Sequence, residues 1–372
     1  MFIIKEVQSK SDSRKFTSFP NKLYKNNPNF VPALSIDEEN VFNKKKNPAF
    51  EYCDVVRYLV YKDGIIVGRI AGIINRQLNE KSNQKVARFT RIDMIDDLEV
   101  TKVLLDTITK WAKSFKMEKL IGPMGFTDMD RMGMLCDGFD YLNMAITIYN
   151  APYYHHHLEE LGYSVDAEWL EMIIPWPKEL PPKVPRVTEI VKSRYHYRLV
   201  KLTKKSEIAL YAKKAFHTYN KAFMDLYGFD PLNDKMMDYY IKQVEAIVQF
   251  HYLWFVLNEE EEVIGFGIVM PSIARALKKS NGRLFPFGLF RILRALKHHD
   301  VIDFYFIAVD PYYQAKGVMS LIIEDGFYEG KKRNIKYALT GPQLITNEKI
   351  QNQWREYNPQ VYKKRRSYFK NI

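Results

Sequence analysis

The sequence predicts a mixed α/β (α+β) protein of two similar halves in tandem, each with a central, mostly antiparallel mixed sheet flanked by helices. At 372 residues the chain has the length of two domains. The predicted order strand, strand, strand, helix, strand occurs twice along it. Five prolines lie between positions 175 and 185, where neither a helix nor a central strand continues easily. We therefore expect two domains, residues 1–180 and 181–372.

The first half begins with a predicted hairpin. Asp63-Gly64 is a two-residue signal for a type I′ turn, and it separates two apolar segments rich in β-branched residues. Beyond the next strand, apolar residues from Val100 to Phe115 recur at helical spacing, and Asp96 or Asp97 can cap the start of that helix. The predicted strands are Tyr58–Tyr61, Ile65–Ile74 and Ala87–Met94.

The second half repeats this order. Residues 205–249 are predicted to be mostly helical, a further helix starts near Gly317, and another covers 347–357. The predicted strands are Arg198–Leu202, Tyr252–Leu257, Val263–Met270, Val301–Val309, Tyr337–Thr340 and Val361–Phe369.

Composition excludes several classes of protein. Hydrophobic residues make up 47% and charged residues 27%, as in folded globular chains. No apolar run approaches the ~18 residues of a membrane span, so a cytoplasmic location is expected. Two distant cysteines and the consecutive His155–His157 do not match a metal-binding pattern, and no metal site is predicted. The net charge of +12 favours anionic partners and leaves nucleotide cofactors, RNA and lipid headgroups open.

The segment from Asp310 to Ser320 is the part of the sequence that indicates a binding site. It joins the predicted strand Val301–Val309 to a predicted helix. Where a strand leads through a tight turn into a helix, several backbone N–H groups point in the same direction and can bind a phosphate. Gly317 allows close approach of a phosphate to the backbone, and Lys316 adds positive charge. We expect a diphosphate site here.

Val309-Asp310-Pro311 followed by Gln314-x-x-Gly317 resembles the acetyl-CoA-binding motif of the GNAT N-acetyltransferase superfamily, with Met319 where that motif has Gly or Ala. Downstream, Asn347-x-x-Ile350 resembles the Asn-bearing helix of the same superfamily. The resemblance implies two tandem GNAT-like domains and acetyl-CoA or another acyl-CoA as co-substrate. The cofactor-binding residues that it implies are Ile307, Val309, Gln314, Ala315, Lys316, Gly317, Val318, Met319, Ser320 and Asn347.

Two catalytic residues follow from the same resemblance. Asp303 shares one strand face with Tyr305 and Ile307 by the two-residue period, and it lies at the offset where several GNAT enzymes place a general base. Tyr357 is the candidate acid that protonates the CoA thiolate, with Trp354 nearer the position of the family's usual Tyr.

The first half resembles the superfamily more distantly, through Asn150 and Leu158–Tyr163. The acidic segment Asp93–Asp97 stands where a phosphate loop would be, and carboxylates repel a diphosphate. The N-terminal domain is therefore expected to lack a cofactor site. The whole chain resembles bacterial tandem-GNAT proteins of uncharacterised substrate.

The sequence thus predicts an acyl-CoA-dependent N-acyltransferase, with acetyl-CoA as the expected donor and a small-molecule or peptide amine as acceptor. Two alternatives stay open: a Fem-like transferase that uses aminoacyl-tRNA, and a non-catalytic CoA-binding protein. Nucleic acid binding suits the charge, but the CoA motif disfavours it. The acceptor, the acyl length and the oligomeric state are left open.

Two further segments of the sequence are rich in Lys and Arg. Residues 271–300 hold seven Lys and Arg against one acid, Asp300, and Leu289, Ile292, Leu293 and Leu296 in it keep helical spacing. Packing on its own domain is the favoured interpretation, ahead of acceptor recognition, membrane docking and contact with the other half. The run Lys363–Arg366 is interpreted as a charged edge strand.

Overall fold

The computed structural model describes residues 1–245 and 247–372. The first half consists of β1 (Phe2–Glu6), α1 (Lys10–Leu23), α2 (Ser35–Val41), β2 (Cys53–Lys62), β3 (Ile65–Asn75), α3 (Arg76–Ser82), β4 (Val86–Met94), α4 (Leu98–Ser114), β5 (Lys119–Gly122), β6 (Met134–Asp137), α5 (Tyr153–Glu160) and β7 (Ser164–Pro175). The second half consists of α6 (Lys183–Tyr195), β8 (Arg198–Val200), α7 (Ile208–Ala222), α8 (Asp234–Glu245), β9 (Leu253–Leu257), β10 (Val263–Pro271), α9 (Ala274–Ser280), α10 (Gly288–Lys297), β11 (Val301–Val309), α11 (Val318–Lys332), β12 (Tyr337–Thr340), β13 (Gln343–Leu344), α12 (Glu348–Trp354) and β14 (Gln360–Asn371).

Local sequence signals explain the predicted elements. Asp63 and Gly64 both have positive φ, 52° and 79°, as a type I′ turn between β2 and β3 requires. Helix α4 begins where the side chain of Asp97 accepts a hydrogen bond from the Glu99 N–H at 3.0 Å. The predicted order of the second half is confirmed from β8 to β14.

The prediction for the first half omitted β1, α1 and α2. Strand β1 is mostly exposed and shows no alternation, and α1 is polar and contains Pro20, so neither carries a strong periodic signal. With these elements included, the two halves match more completely: β1 corresponds to β8, α1 to α7 and α2 to α8.

All of these strands join in one continuous sheet. Its order is β1-β2-β3-β4-β5-β14-β7-β12-β11-β10-β9-β8, with β6 paired to β14 and β13 paired to β7. The pairs β4–β5 and β11–β12 are parallel, and the other pairs are antiparallel. The order is symmetric about the β14–β7 pair, so the two halves are arranged about a pseudo-twofold axis.

The interpretation of Lys363–Arg366 as an edge is wrong, because β14 lies in the middle of the sheet. It pairs with β7 on one side and with β5 and β6 on the other. Lys363 and Arg365 are fully buried, and burial lowers the pKa of Lys363 to about 8. The charges are therefore internal and need internal partners.

Helices cover both faces of the sheet. In the second half, α6, α11 and α12 pack on one face, with Val191, Leu321 and Trp354 in their core. On the opposite face, α1 of the first half and α7 and α8 of the second contribute to a shared core that includes Phe16, Tyr219 and Met236. Among the described residues, no helix combines the length and apolarity that crossing a bilayer requires.

Candidate functional site

Strands β11 and β12 separate part of the way along. Their parallel pairing runs from Val301–Tyr337 to Phe304–Thr340, and a final hydrogen bond joins the Gly341 N–H to the Phe304 carbonyl at 3.3 Å. From Tyr305 onward, β11 keeps its partner β10 but has no ladder partner on the β12 side among the described residues. The result is a V-shaped opening in the sheet that exposes backbone hydrogen-bonding groups.

The turn after β11 lies at the mouth of this opening. The amides of Gln314, Lys316 and Ser320 donate to protein carbonyls, so three of the predicted phosphate-binding amides are already used. In the described part of the chain, no acceptor is found for the amides of Ala315, Gly317, Val318 and Met319. Four free N–H groups at a helix N-terminus fit an anionic ligand such as a diphosphate.

Gly317 has a packing role that the sequence did not indicate. Its φ is +78°, and a Cβ atom there would lie 2.6 Å from Val187 and 2.7 Å from Val191 on α6. The missing side chain therefore permits close packing of the turn on α6. The ammonium of Lys316 lies 3.7 Å from the centre of the Tyr312 ring, where it makes a cation–π contact.

The other predicted binding residues surround the opening. Ile307, Val309, Met319 and Asn347 line the same cavity as the turn. The Gln314 side chain donates to the Val309 carbonyl at 3.3 Å, so that carbonyl already has a partner. Asn347 caps α12 by accepting from the Ile350 N–H at 3.4 Å.

A bulge in β11 changes which residues share a face. Ile268 pairs with Phe306 and Val269 pairs with Phe304, so Tyr305 is an extra residue. Tyr305 and Phe306 both pack toward α7 and α8, whereas Ile307 packs toward α6 and α11. The expectation that Asp303, Tyr305 and Ile307 share a face is therefore wrong, because the alternation shifts at the bulge.

Asp303 lies behind the cavity rather than on its wall. It is fully buried, and the cavity wall starts at the next residues, Phe304 and Tyr305. Burial, with repulsion from Glu171, raises the pKa of Asp303 to about 7. The group titrates near neutral pH but has no direct access to the cavity.

Tyr357 also lies off the cavity. Trp354 lines the wall instead, with its ring 5.1 Å from that of Phe304 and 6.4 Å from that of Tyr357. Burial, with repulsion from Glu356, raises the pKa of the Tyr357 hydroxyl to about 12. Tyr357 packs against the same core as Tyr313 and Met319 of the turn, but it is not among the residues that line the cavity.

The cavity itself has a volume of about 2410 Å³ and is lined by both halves of the chain. The first half contributes α2, residues 128–132 and 145–147, and Trp169. The second half contributes β11, the turn after β11, α12 and the aliphatic side chains of α9 and α10. A ligand in the opening would therefore meet both halves.

Asp128 is a titratable residue of the cavity that the sequence analysis did not single out. It lines the cavity and accepts a hydrogen bond from the Tyr219 hydroxyl on α7, while its second oxygen is buried without a partner in the described part of the chain. Burial raises the pKa of Asp128 to about 6. The ring of Tyr219 lies 6.0 Å from that of Phe306, which places the pair beside β11. The segment 128–132 reaches the site only because the two halves pack together, so no local sequence motif could have indicated Asp128.

No family model matches this chain. It is 26% identical over 299 residues to Protein YghO of Escherichia coli K12, covering 79% of this chain and 75% of that protein. It is 22% identical over 303 residues to a bacterial ceramide synthase of Caulobacter vibrioides, covering 78% and 75%. A tandem GNAT protein from the clavulanic acid biosynthesis pathway superposes with a TM-score of 0.58 at 9% identity, covering 100% of this chain and 98% of that one. The chain has a tandem GNAT fold.

The two GNAT domains differ at equivalent positions. In the first, β4 and α4 are joined only by residues 95–97, which are too few to form a turn like Asp310–Gly317. The backbone of Met94 is also occupied, because its N–H donates to the Tyr154 hydroxyl at 2.9 Å and its carbonyl accepts from the Tyr153 hydroxyl at 2.7 Å. Side chains of α5 thus take the place that a ligand could take in the second GNAT domain.

Proposed function

We propose that this protein is an acyl-CoA-dependent N-acyltransferase whose second domain binds acyl-CoA. The observation that carries the proposal is a set of four amides, on Ala315, Gly317, Val318 and Met319, that have no acceptor among the described residues and lie at the mouth of an opened sheet. Acetyl-CoA or a longer acyl-CoA would place its diphosphate on these amides and its pantetheine arm along Ile307 and Val309. A cytoplasmic location and a first domain without a cofactor site are part of the same proposal.

The reaction needs one proton to leave the amine and one to reach the thiolate. The amine nitrogen attacks the thioester carbonyl carbon, the C–S bond breaks, CoA leaves as the thiolate, and the new N–C bond makes an amide. We assign the base to Asp128, because it lines the cavity, whereas Asp303 lies behind the cavity wall. The proton is then carried to the CoA thiolate by solvent, since Tyr357 lies off the cavity.

The acceptor is an amine that fits a large and partly aliphatic cavity. The relative from Caulobacter vibrioides is named a ceramide synthase, and a ceramide is an amide of a long-chain amine. The aliphatic wall of α9 and α10 supports an acceptor of that class for this chain. Peptide amines and small polar amines would leave this wall without contacts.

Calorimetry with CoA tests the donor site. Ala315 is exposed and has a φ of +62°, which Asp and Asn tolerate well, so Ala315→Asp adds a carboxylate among the free amides without disturbing the core. We expect the wild type to bind one CoA per chain. Ala315→Asp should bind CoA at least about tenfold more weakly, because the new carboxylate repels the diphosphate. Ala315→Asn is the matched neutral control and should bind nearly as the wild type does.

Equal binding by Ala315→Asp and the wild type would refute the assignment of the turn. Absence of CoA binding together with salt-sensitive tRNA binding would favour the aminoacyl-tRNA alternative. CoA binding without thiol release over a panel of short and long amines would favour a non-catalytic role.

A further inference from the structure

The α9–α10 hairpin, residues 274–297, is an insertion between β10 and β11. It is held against the first domain at its bend. The Gly282 carbonyl accepts from the Ser35 N–H at 2.9 Å, and the Asn281 carbonyl accepts from the Asn21 side chain at 3.3 Å. The hairpin therefore has a fixed place beside both domains.

The outer side of this hairpin exposes large apolar side chains. Phe285, Phe287 and Phe290 are 74%, 65% and 66% exposed, and Leu293 is 56% exposed. Single exposed apolar residues are ordinary, but a cluster of three phenylalanines within six positions is characteristic of an interaction surface.

The same hairpin carries exposed basic side chains. Arg275 pairs with Asp300 at 4.0 Å. Among the described residues, no carboxylate lies within ion-pair distance of the exposed Lys279, Arg283, Arg294 and Lys297. Exposed aromatic side chains that share a hairpin with exposed Lys and Arg match the interface of an anionic bilayer, where aromatic rings enter the headgroup layer and cations contact lipid phosphates.

The inner side of the hairpin forms part of the cavity wall. Leu277, Ile292 and Leu296 are buried and line the cavity. Leu289 and Leu293 line the cavity and are also exposed, so the cavity reaches the surface at α10. This opening is aliphatic and lies beside the exposed phenylalanines.

We propose that the α9–α10 hairpin docks on the surface of an anionic phospholipid bilayer and that the opening at Leu289 and Leu293 takes in the hydrocarbon chain of a long-chain amine from it. The docking part stands on the hairpin alone, and the choice of amine rests on the proposed function. Phe285, Phe287 and Phe290 would enter the headgroup region while the cations of the hairpin contact phosphates.

Vesicle sedimentation tests the docking. The full-length protein is mixed with vesicles of phosphatidylcholine alone or of phosphatidylcholine with one part in three of phosphatidylglycerol. We expect it to sediment with the anionic vesicles and to be released as salt is raised. The double variant Phe287→Ser, Phe290→Ser should lower the partition coefficient about tenfold or more. Arg294→Glu with Lys297→Glu should abolish the preference for anionic vesicles.

The matched control is Phe115→Ser with Tyr141→Ser, which removes two exposed aromatic side chains outside the hairpin. It should bind vesicles as the wild type does. Failure of the wild type to bind anionic vesicles, or undiminished binding by the Phe287 and Phe290 variant, would overturn the proposal.

Two further measurements separate this proposal from the proposed function. The hairpin variants should bind CoA with unchanged affinity, so a loss of vesicle binding cannot come from loss of the donor site. In acylation assays they should lose activity on a long-chain primary amine presented in anionic vesicles and keep it on a short soluble amine. Equal loss on both amines would refute the role of the hairpin in acceptor delivery.

Discussion

The guanidinium of Arg365 on β14 and the carboxylate of Glu171 on β7 form an ion pair that is fully buried at the centre of the sheet. Arg365 also donates to the carbonyls of Ile148 and Gly133 and to the Asn143 side chain. A buried cation stripped of water needs such a complete set of partners. This pair connects the last strand of each half.

We expect Glu171→Gln to lower the free energy of unfolding by about 3–5 kcal/mol, because it leaves the Arg365 charge buried without its counter-charge. Urea unfolding followed by circular dichroism measures the change. Glu168→Gln is the matched control on the same strand, since Glu168 pairs with Arg366 at 2.8 Å in a partly exposed position and should cost only about 0–1 kcal/mol. Equal effects of the two substitutions would contradict the assigned role of burial.

The pH dependence of acylation should identify the base. An ionised carboxylate is needed to take the proton, so kcat should fall as the pH drops through about 6 if Asp128 is the base. Asp128→Asn should lower kcat by about 10²–10⁴-fold and remove this acidic limb. Tyr219→Phe removes a hydrogen bond that lowers the pKa of Asp128, so it should move the limb to higher pH.

Asp225→Asn, at the exposed rim of the cavity, serves as the control and should leave the profile unchanged. A limb near pH 7 that disappears in Asp303→Asn and persists in Asp128→Asn would assign the base to Asp303 instead.

Gly317→Ala should destabilise the protein by about 2–4 kcal/mol, because it combines a left-handed φ with a close contact to α6. Gly64→Ala is a matched control, since Gly64 has a φ of +79° and nothing within 4 Å of the new Cβ, and it should cost only about 1 kcal/mol. Thermal unfolding compares the two. In a Gly317→Ala background, Val191→Ala should restore part of the lost stability, because it removes one of the side chains that the new Cβ contacts. If the stability losses of the two substitutions simply add, the contact with α6 is not the cause.

Glu38 on α2 should make stability depend on pH in the acidic range. Burial alone would raise the pKa of Glu38, but Arg91 and neighbouring arginines outweigh it and lower the pKa to about 2. Because the unfolded pKa is near 4.5, the stabilisation is complete above pH 4.5 and is lost as the pH falls toward 2. The difference in unfolding free energy between the wild type and Glu38→Gln should narrow by about 3 kcal/mol over that range.

Urea titrations at several pH values measure this difference. Glu39→Gln, at an exposed position on the same helix, should show no comparable trend. A constant gap between the wild type and Glu38→Gln from pH 5 to pH 2 would contradict the lowered pKa.

The features that sequence predicted are those encoded by neighbouring residues. The hairpin at Asp63-Gly64 and the turn after Val309 both follow from local turn chemistry. The bulge at Tyr305 was missed because it depends on pairing with β10, and the place of Asp128 was missed because it depends on how the two halves pack. Lys363 and Arg365 looked like an exposed edge because charge alone does not reveal strand order.

The position of β14 has a consequence for how the molecule can be divided. Each half supplies a strand that the other half's sheet needs, so a chain cut near residue 180 would give two fragments that each lack a partner strand. Such fragments should be aggregation-prone apart and recover a native sheet when mixed. The same interlocking couples the two halves through paired strands, so we expect a bulky molecule to enter through the opening at Leu289 and Leu293 rather than by rocking of one half against the other.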